Sequence, residues 1–306
     1  RSYFSKATKR VTKDYTRPST CEALYMQGLT LKALELYDEA IDTLYRATWD
    51  YAYHSAAYLE LARISSIRGD FKRALGQINE SLSTNVMNNT AINLKASIQR
   101  MLGEFDGAKE TLAEVIENDP LDFRAGNENY LLAKEKGNPQ NSEEILSVLN
   151  KKMRDFDQNY LELAVGYLND GLLDEAEDIL RRYKGKNQEV SYYLGYIQDK
   201  HGKRAEAEKF FKAASDLPVD YGFPYRLESV KALTLASEYL PGDAKPYYYL
   251  GNLLFDKQPE PAIENWEKAV KLDPSLAIAW RNLGFGYYQY SHDLPKAINT
   301  YEKAIA

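Results

Sequence analysis

Small and apolar residues recur along the chain in a fixed order: Gly28, Ala40 and Ala47; Ala62, Ala74 and Ser81; Ala96, Ala108 and Val115; Ala164, Ala176 and Tyr183; Gly195, Ala207 and Ala214. Within each triplet the steps are twelve and seven residues, and successive triplets fall at multiples of about 34, the period of helix pairs stacked into an array. Two helices of a hairpin cross closely where the small residues lie, because a larger side chain would force the axes apart. Between the first and second members of the later triplets, Gly69-Asp70, Gly103-Glu104, Gly171 and Gly202 punctuate the pattern. A glycine ends the first helix in a left-handed conformation, and an acid opens the second near its positive end.

The pattern divides the chain into a basic leader or linker over residues 1–20, an array over 21–217, an irregular segment over 218–243 and two further repeats over 244–306. Units of the array begin near residues 21, 55, 89, 123, 157 and 188. The unit at 123 is degenerate: Tyr130 and Ser142 replace small residues, and its turn widens to Gly137-Asn138-Pro139-Gln140. In the irregular segment, Pro218 to Pro224 reads as a loop. Tyr225 to Leu240 reads as a single helix whose Ser229, Leu233 and Ala236 match a second helix lacking its first. Roughly 15 to 16 helices and no strands are predicted.

The last two repeats, "YYYLGNLLF…AIENWEKAVKLDP" and "AWRNLGFGYY…KAINTYEKA", resemble tetratricopeptide repeats. That resemblance covers about residues 21 to 306 and implies an all-α fold, a right-handed α-α superhelix interrupted near 218–243. Members of the family mostly bind proteins or peptides in the concave groove. The order of units, with "DPLDFRAGNE" at 119–128 and "FPYRLE" at 223–228, is further similar to the C-terminal repeat region of large bacterial proteins carrying an upstream β-rich, carbohydrate-enzyme-like domain.

Composition narrows the chemistry. The net charge is −6, yet residues 1–20 carry +5, leaving −11 on the remainder. An acidic body argues against nucleic acid as the ligand. The longest apolar stretch, Tyr247 to Phe255, is broken by Gly251-Asn252 and is too short for a membrane span. The chain opens on Arg1 without a charged-then-apolar leader, and any signal peptide or upstream domain is expected to have been cut away. A single cysteine, Cys21, excludes an internal disulfide framework and a cysteine zinc site. At a helix start it is either an activated thiol or a structural one, and the structural reading is preferred because no histidine accompanies it in the pattern. His54, His201 and His292 lie at or near turns, so no metal site is expected from them. No nucleophile, phosphate-cradling or zinc-hydrolase motif occurs; Gly284-Phe285-Gly286 lacks a third glycine and reads as helix packing. Neither catalysis nor a cofactor is expected.

A binding surface is therefore sought on the first helices of the repeats, at positions opposite the small residues. In the first three units these positions are mixed: Tyr25, Leu29 and Lys32; Leu59, Arg63 and Ser66; Asn93, Ser97 and Arg100. In later units they become aromatic and polar: Tyr192, Tyr196 and Asp199; Tyr248, Asn252 and Phe255; Arg281, Phe285 and Tyr288, with Asn282 beside them. Tyrosine and arginine give large contact area and directed hydrogen bonds at low entropic cost. This stripe is the candidate peptide groove; the alternative is aromatic packing between neighbouring helices. In the family resemblance, Asn252 and Asn282 match two positions of a carboxylate clamp, with Tyr248 in place of its lysine. Three functions follow: a non-catalytic protein- or peptide-binding scaffold, an accessory module packing on its own upstream domain, or a glycan or small-molecule sensor. Ile298, Tyr301 and Ile305 share one helix side, and self-association through that C-terminal end is a further expectation.

Overall fold

A Cβ added to Gly28 would sit 2.6 Å from the Leu44 side chain, one on Gly195 2.4 Å from Phe211, and one on Gly251 2.3 Å from Trp266. The small residues stand where a hairpin's two helices cross because no larger side chain fits. The computed structural model describes residues 2–13, 17–137, 139–220 and 222–305. Among them are eighteen α-helices and no strand, the all-α helical-repeat fold that the periodicity predicts. They belong to two compact units, Arg1–Ala176 and Glu177–Ala306.

Unit 1 contains α1 (Ser2–Val11), α2 (Glu22–Ala33), α3 (Tyr37–Ala47), α4 (Tyr51–Ile67), α5 (Phe71–Thr84), α6 (Asn89–Met101), α7 (Phe105–Asn118), α8 (Phe123–Glu135), α9 (Pro139–Met153) and α10 (Asp157–Asn169). It packs them as hairpins α2–α3, α4–α5, α6–α7 and α8–α9. Asp50, Asp70, Asn88 and Asp122 cap α4, α5, α6 and α8 through side-chain oxygens, satisfying amides that the first helical turn leaves without partners. Leu24, Leu31, Ala40, Leu44, Ala57 and Leu61 form the core of the first hairpin and its junction with the second. Cys21 is buried there, and burial, reinforced by the Asp50 carboxylate, pushes its thiol pKa up. Cys21 is structural.

Two local expectations change in unit 1. The basic leader forms α1, whose Thr8 is buried and donates through Oγ1 to the Ala23 carbonyl at 3.3 Å. In the first hairpin the turn, expected at Tyr37-Asp38, falls earlier: Glu35 is left-handed, at φ 59°, and α3 starts at Tyr37. The expected turn residue Asn138 lies outside the described residues.

The chain continues through α11 (Leu173–Arg182) into unit 2, which holds α12 (Gln188–Lys200), α13 (Arg204–Ser215), α14 (Leu227–Tyr239), α15 (Ala244–Leu254), α16 (Pro259–Leu272), α17 (Ala277–Gly286) and α18 (Leu294–Ile305). Its helices pack as hairpins α12–α13, α15–α16 and α17–α18. The lone helix is α14. It lies against α12 and α15, with the Tyr193 and Ser229 hydroxyls 2.8 Å apart and Phe211 against Tyr239. It begins at Leu227, two residues later than predicted, after the non-helical stretch 222–225; Pro224 there biases its predecessor away from helix. Tyr221 of the predicted loop lies outside the described residues. A π-turn, Tyr287–Ser291, joins α17 to α18.

Candidate interaction surface

In unit 1 the positions expected to line the groove are engaged with one another. Lys32 Nζ on α2 donates to Glu60 Oε2 on α4 at 2.6 Å, and Arg63 donates to Glu60 Oε1 at 2.6 Å. Asn93 on α6 donates to both oxygens of Asp122. Arg100, its side chain 3% exposed, faces three carboxylates: Glu128 at 2.8 Å, Glu135 at 2.7 Å and Glu175 at 2.6 Å. Burial alone would push the Glu128 carboxyl up. Attraction from Arg100 and Arg124, with hydrogen bonds from Arg100 and Ser97, carries it below the usual carboxylate range. Glu60 behaves alike: burial opposes its ionisation, and Lys32 and Arg63 prevail.

Unit 2 presents its first-helix face differently. Asp243 caps α15 by accepting from the Lys245 amide, and Gly251 lets α16 approach until the Trp266 indole reaches across. Trp266 Nε1 donates to Asn252 Oδ1 at 3.0 Å, and Asn282 Nδ2 donates to the same oxygen at 2.8 Å. Asn282 Oδ1 in turn accepts from Arg281 Nε and Nη2 at 3.2 and 3.1 Å. The two amide oxygens are thus occupied inside the protein. Beside them Phe255 stacks against Trp266 and Phe285, with ring centroids 5.1 and 5.6 Å away. Phe285 is 45% exposed and Tyr288 53% exposed. Arg281 is exposed and has no carboxylate at ion-pair distance among the described residues. Next to this patch the π-turn is held by Tyr287 donating to Glu267 at 2.6 Å and by Tyr290 donating to Glu260.

A model of the tetratricopeptide repeat family matches residues 94–122, covering the end of α6, its turn and α7. Over those residues the chain is similar to a tetratricopeptide repeat. Solved structures similar to it include a tetratricopeptide repeat protein from Parabacteroides merdae ATCC 43184, 18% identical, with a TM-score of 0.42 over 87% of this chain and 98% of that one. They also include MamA from Desulfovibrio magneticus RS-1, 20% identical, with a TM-score of 0.28 over 60% of this chain and 93% of that one. A third is YrrB, described as a tetratricopeptide repeat protein with an unusual peptide-binding site, 19% identical, with a TM-score of 0.27 over 63% and 90%.

Of the residues expected in the groove, Asn252, Phe255, Arg281, Asn282 and Phe285 come together in one patch, and Tyr288 is exposed one turn after Phe285. Tyr192 and Tyr248 do not join its surface: each is 2% exposed. They pack with Tyr249, at ring centroids 6.1 and 5.1 Å, because three tyrosines at neighbouring first-helix positions fill the space between α12 and α15. Burial accordingly pushes the Tyr192 and Tyr248 hydroxyls well above and above their ordinary pKa. Tyr196 is half-buried, with the Lys200 ammonium 5.4 Å from its ring centroid. The carboxylate clamp suggested by Asn252 and Asn282 is not assembled, since the two amides bond to each other and Tyr248 is buried. Gly284 and Gly286 serve packing, against Tyr301 and Ile263. The mutual pairing of the unit 1 positions was not read from the sequence; alternating basic and acidic residues on successive first helices (Lys32, Glu60, Arg63, Arg100, Glu128) are the signal that carried it.

Proposed function

We propose that this chain is a non-catalytic scaffold that binds a protein or peptide segment through the aromatic and arginine patch of its last two hairpins. The observation that carries this reading is the exposure of Phe285, Tyr288 and Arg281 on a support fixed by the Trp266–Asn252–Asn282 hydrogen bonds. Rigid aromatic rings backed by fixed amides lose little entropy on binding, the property that makes such residues dominate interface energetics. With both asparagine oxygens occupied, the patch offers aromatic faces and N–H donors. Those groups fit the carbonyl acceptors and apolar side chains of an extended segment. Tetratricopeptide arrays bind proteins or peptides in general, and this patch is where the present one has side chains free to do so.

The test is selection of binders from a random displayed-peptide library on the full chain, followed by calorimetry of the selected peptides. Phe285→Ala and Arg281→Ala are expected to weaken binding by about 1–3 kcal/mol each, whereas Lys268→Ala on the exposed side of α16 changes it little. Peptides that bind equally well to all three variants would place recognition elsewhere.

A further inference from the structure

The end of α10 in unit 1 does something its place in the repeat does not require. The turn after it, Asp170-Gly171, lies against α4, three hairpins earlier in the chain. Ser66 Oγ donates to the Asp170 carbonyl at 2.6 Å. Arg63 Nε reaches one carboxylate oxygen of Asp170 at 3.2 Å and Arg124 Nη2, from α8, the other at 3.0 Å. Tyr167, fully buried, inserts its ring beneath the Arg124 guanidinium at 3.4 Å from the ring centroid. Its hydroxyl donates to Glu128 at 2.8 Å and accepts from Asn127 at 2.8 Å. Gly171, at φ +78°, brings its backbone so close to α4 that an added Cβ would lie 2.5 Å from the Ile67 Cα.

These contacts fill the face formed by α4, α6 and α8. Ser97 and Asn127, on that face, are fully buried, and their polar atoms bond to Glu128, Arg124 and Tyr167. Every cation there has a carboxylate partner within unit 1: Lys32 and Arg63 on Glu60, Arg63 and Arg124 on Asp170, Arg100 on Glu128, Glu135 and Glu175. A partner entering this face would have to displace these bonds and leave buried charges unpaired, which is strongly unfavourable.

We propose that the first-helix face of unit 1 is closed in cis: the Tyr167–Gly171 turn is clasped into it by Arg63, Arg124 and Ser66 and excludes partners from it. The proposal is independent of the patch in unit 2, although it directs recognition away from unit 1.

The test is thiol labelling of the full chain carrying a single reporter, Ser97→Cys, with Glu110→Cys on the exposed side of α7 as control and with the buried Cys21 replaced by serine. In a closed face the Ser97→Cys thiol reacts at least about a hundredfold more slowly than the control, because modification requires local opening. Gly171→Val, which cannot approach Ile67, is expected to accelerate labelling about tenfold or more. Asp170→Asn, which keeps the shape of the turn but removes the carboxylate that Arg63 and Arg124 share, is expected to do the same with unchanged helicity. Labelling of the parent reporter at the control rate overturns the proposal. So does protection that survives both substitutions, and Asp170→Asn decides alone if Gly171→Val does not fold.

Discussion

Replacing Glu128 by alanine is the most demanding test of the buried ionic arrangement in unit 1. The carboxylate is fully buried and accepts from Ser97 Oγ at 2.7 Å, Tyr167 OH at 2.8 Å and Arg100 Nε at 2.8 Å. Removing one member of a buried pair costs about 3–5 kcal/mol because the other charge remains desolvated. Two features moderate that figure here. Arg100 keeps Glu135 and Glu175, and Ser97 retains the Asn93 carbonyl as a second acceptor at 3.0 Å. Tyr167 has no such reserve for its hydroxyl proton, and an unsatisfied buried donor costs about 1–3 kcal/mol. The balance gives roughly 3–4 kcal/mol for Glu128→Ala. Glu128→Gln, which keeps an acceptor for Ser97 and Tyr167 but turns an amide toward Arg100, is expected to cost about half as much. Unfolding of a repeat array is not strictly two-state, so hydrogen exchange resolved along α6, α8 and α10 is the measurement of choice. A loss of about 3–4 kcal/mol appears there as two to three orders of magnitude in protection. A change under about tenfold in all three helices, or equal effects of alanine and glutamine, would refute the energetic role assigned to this carboxylate.

The same groups set a pH dependence. Glu60 and Glu128 are held below the usual carboxylate range in the folded state, so their stabilisation is complete above the unfolded value of about 4.3 and fades as pH falls through the folded values. Circular dichroism of the full chain from pH 7 downward should show helix loss beginning below about pH 4, less steeply in Glu60→Gln; an identical profile in that variant would count against it. Gly251→Val places carbon atoms against the Trp266 indole and should destabilise unit 2 by about 2 kcal/mol or more, seen as a lowered urea midpoint with a shifted tryptophan emission; an unchanged midpoint would mean that α15 and α16 move apart freely. Asp50 both caps α4, accepting from Ala52 N at 3.1 Å, and accepts from Cys21 N at 3.0 Å, so Asp50→Ala should cost about 1–2 kcal/mol and speed exchange at the starts of α2 and α4 together.

The sequence determined the hairpins, because their requirements are local and periodic. Gly28, Gly195 and Gly251 are small where Leu44, Phe211 and Trp266 cross them, fifteen or sixteen residues along the same hairpin, and Gly69, Gly103, Gly171 and Gly202 adopt the left-handed turn conformation at φ +73° to +78°. The helix of the irregular segment, α14, and the exposure of Phe285 and Tyr288 also sit on local patterns, one broken and one repeated. The leader was misread because a short basic segment has no periodic partner of its own, and α1 is recruited by packing on α2. What the tertiary structure alone decided is which first-helix positions meet each other. Tyr192 and Tyr248 have the same spacing as exposed groove residues, yet both are buried, Tyr192 meeting Tyr249 across the interface and Tyr248 packing beside Tyr249 on α15. Arg63 and Asp170 stand 107 positions apart, and no pattern in the chain announces that pairing. It follows from how side chains pack between successive first helices over the three hairpins α4 to α9, and not from any one of them.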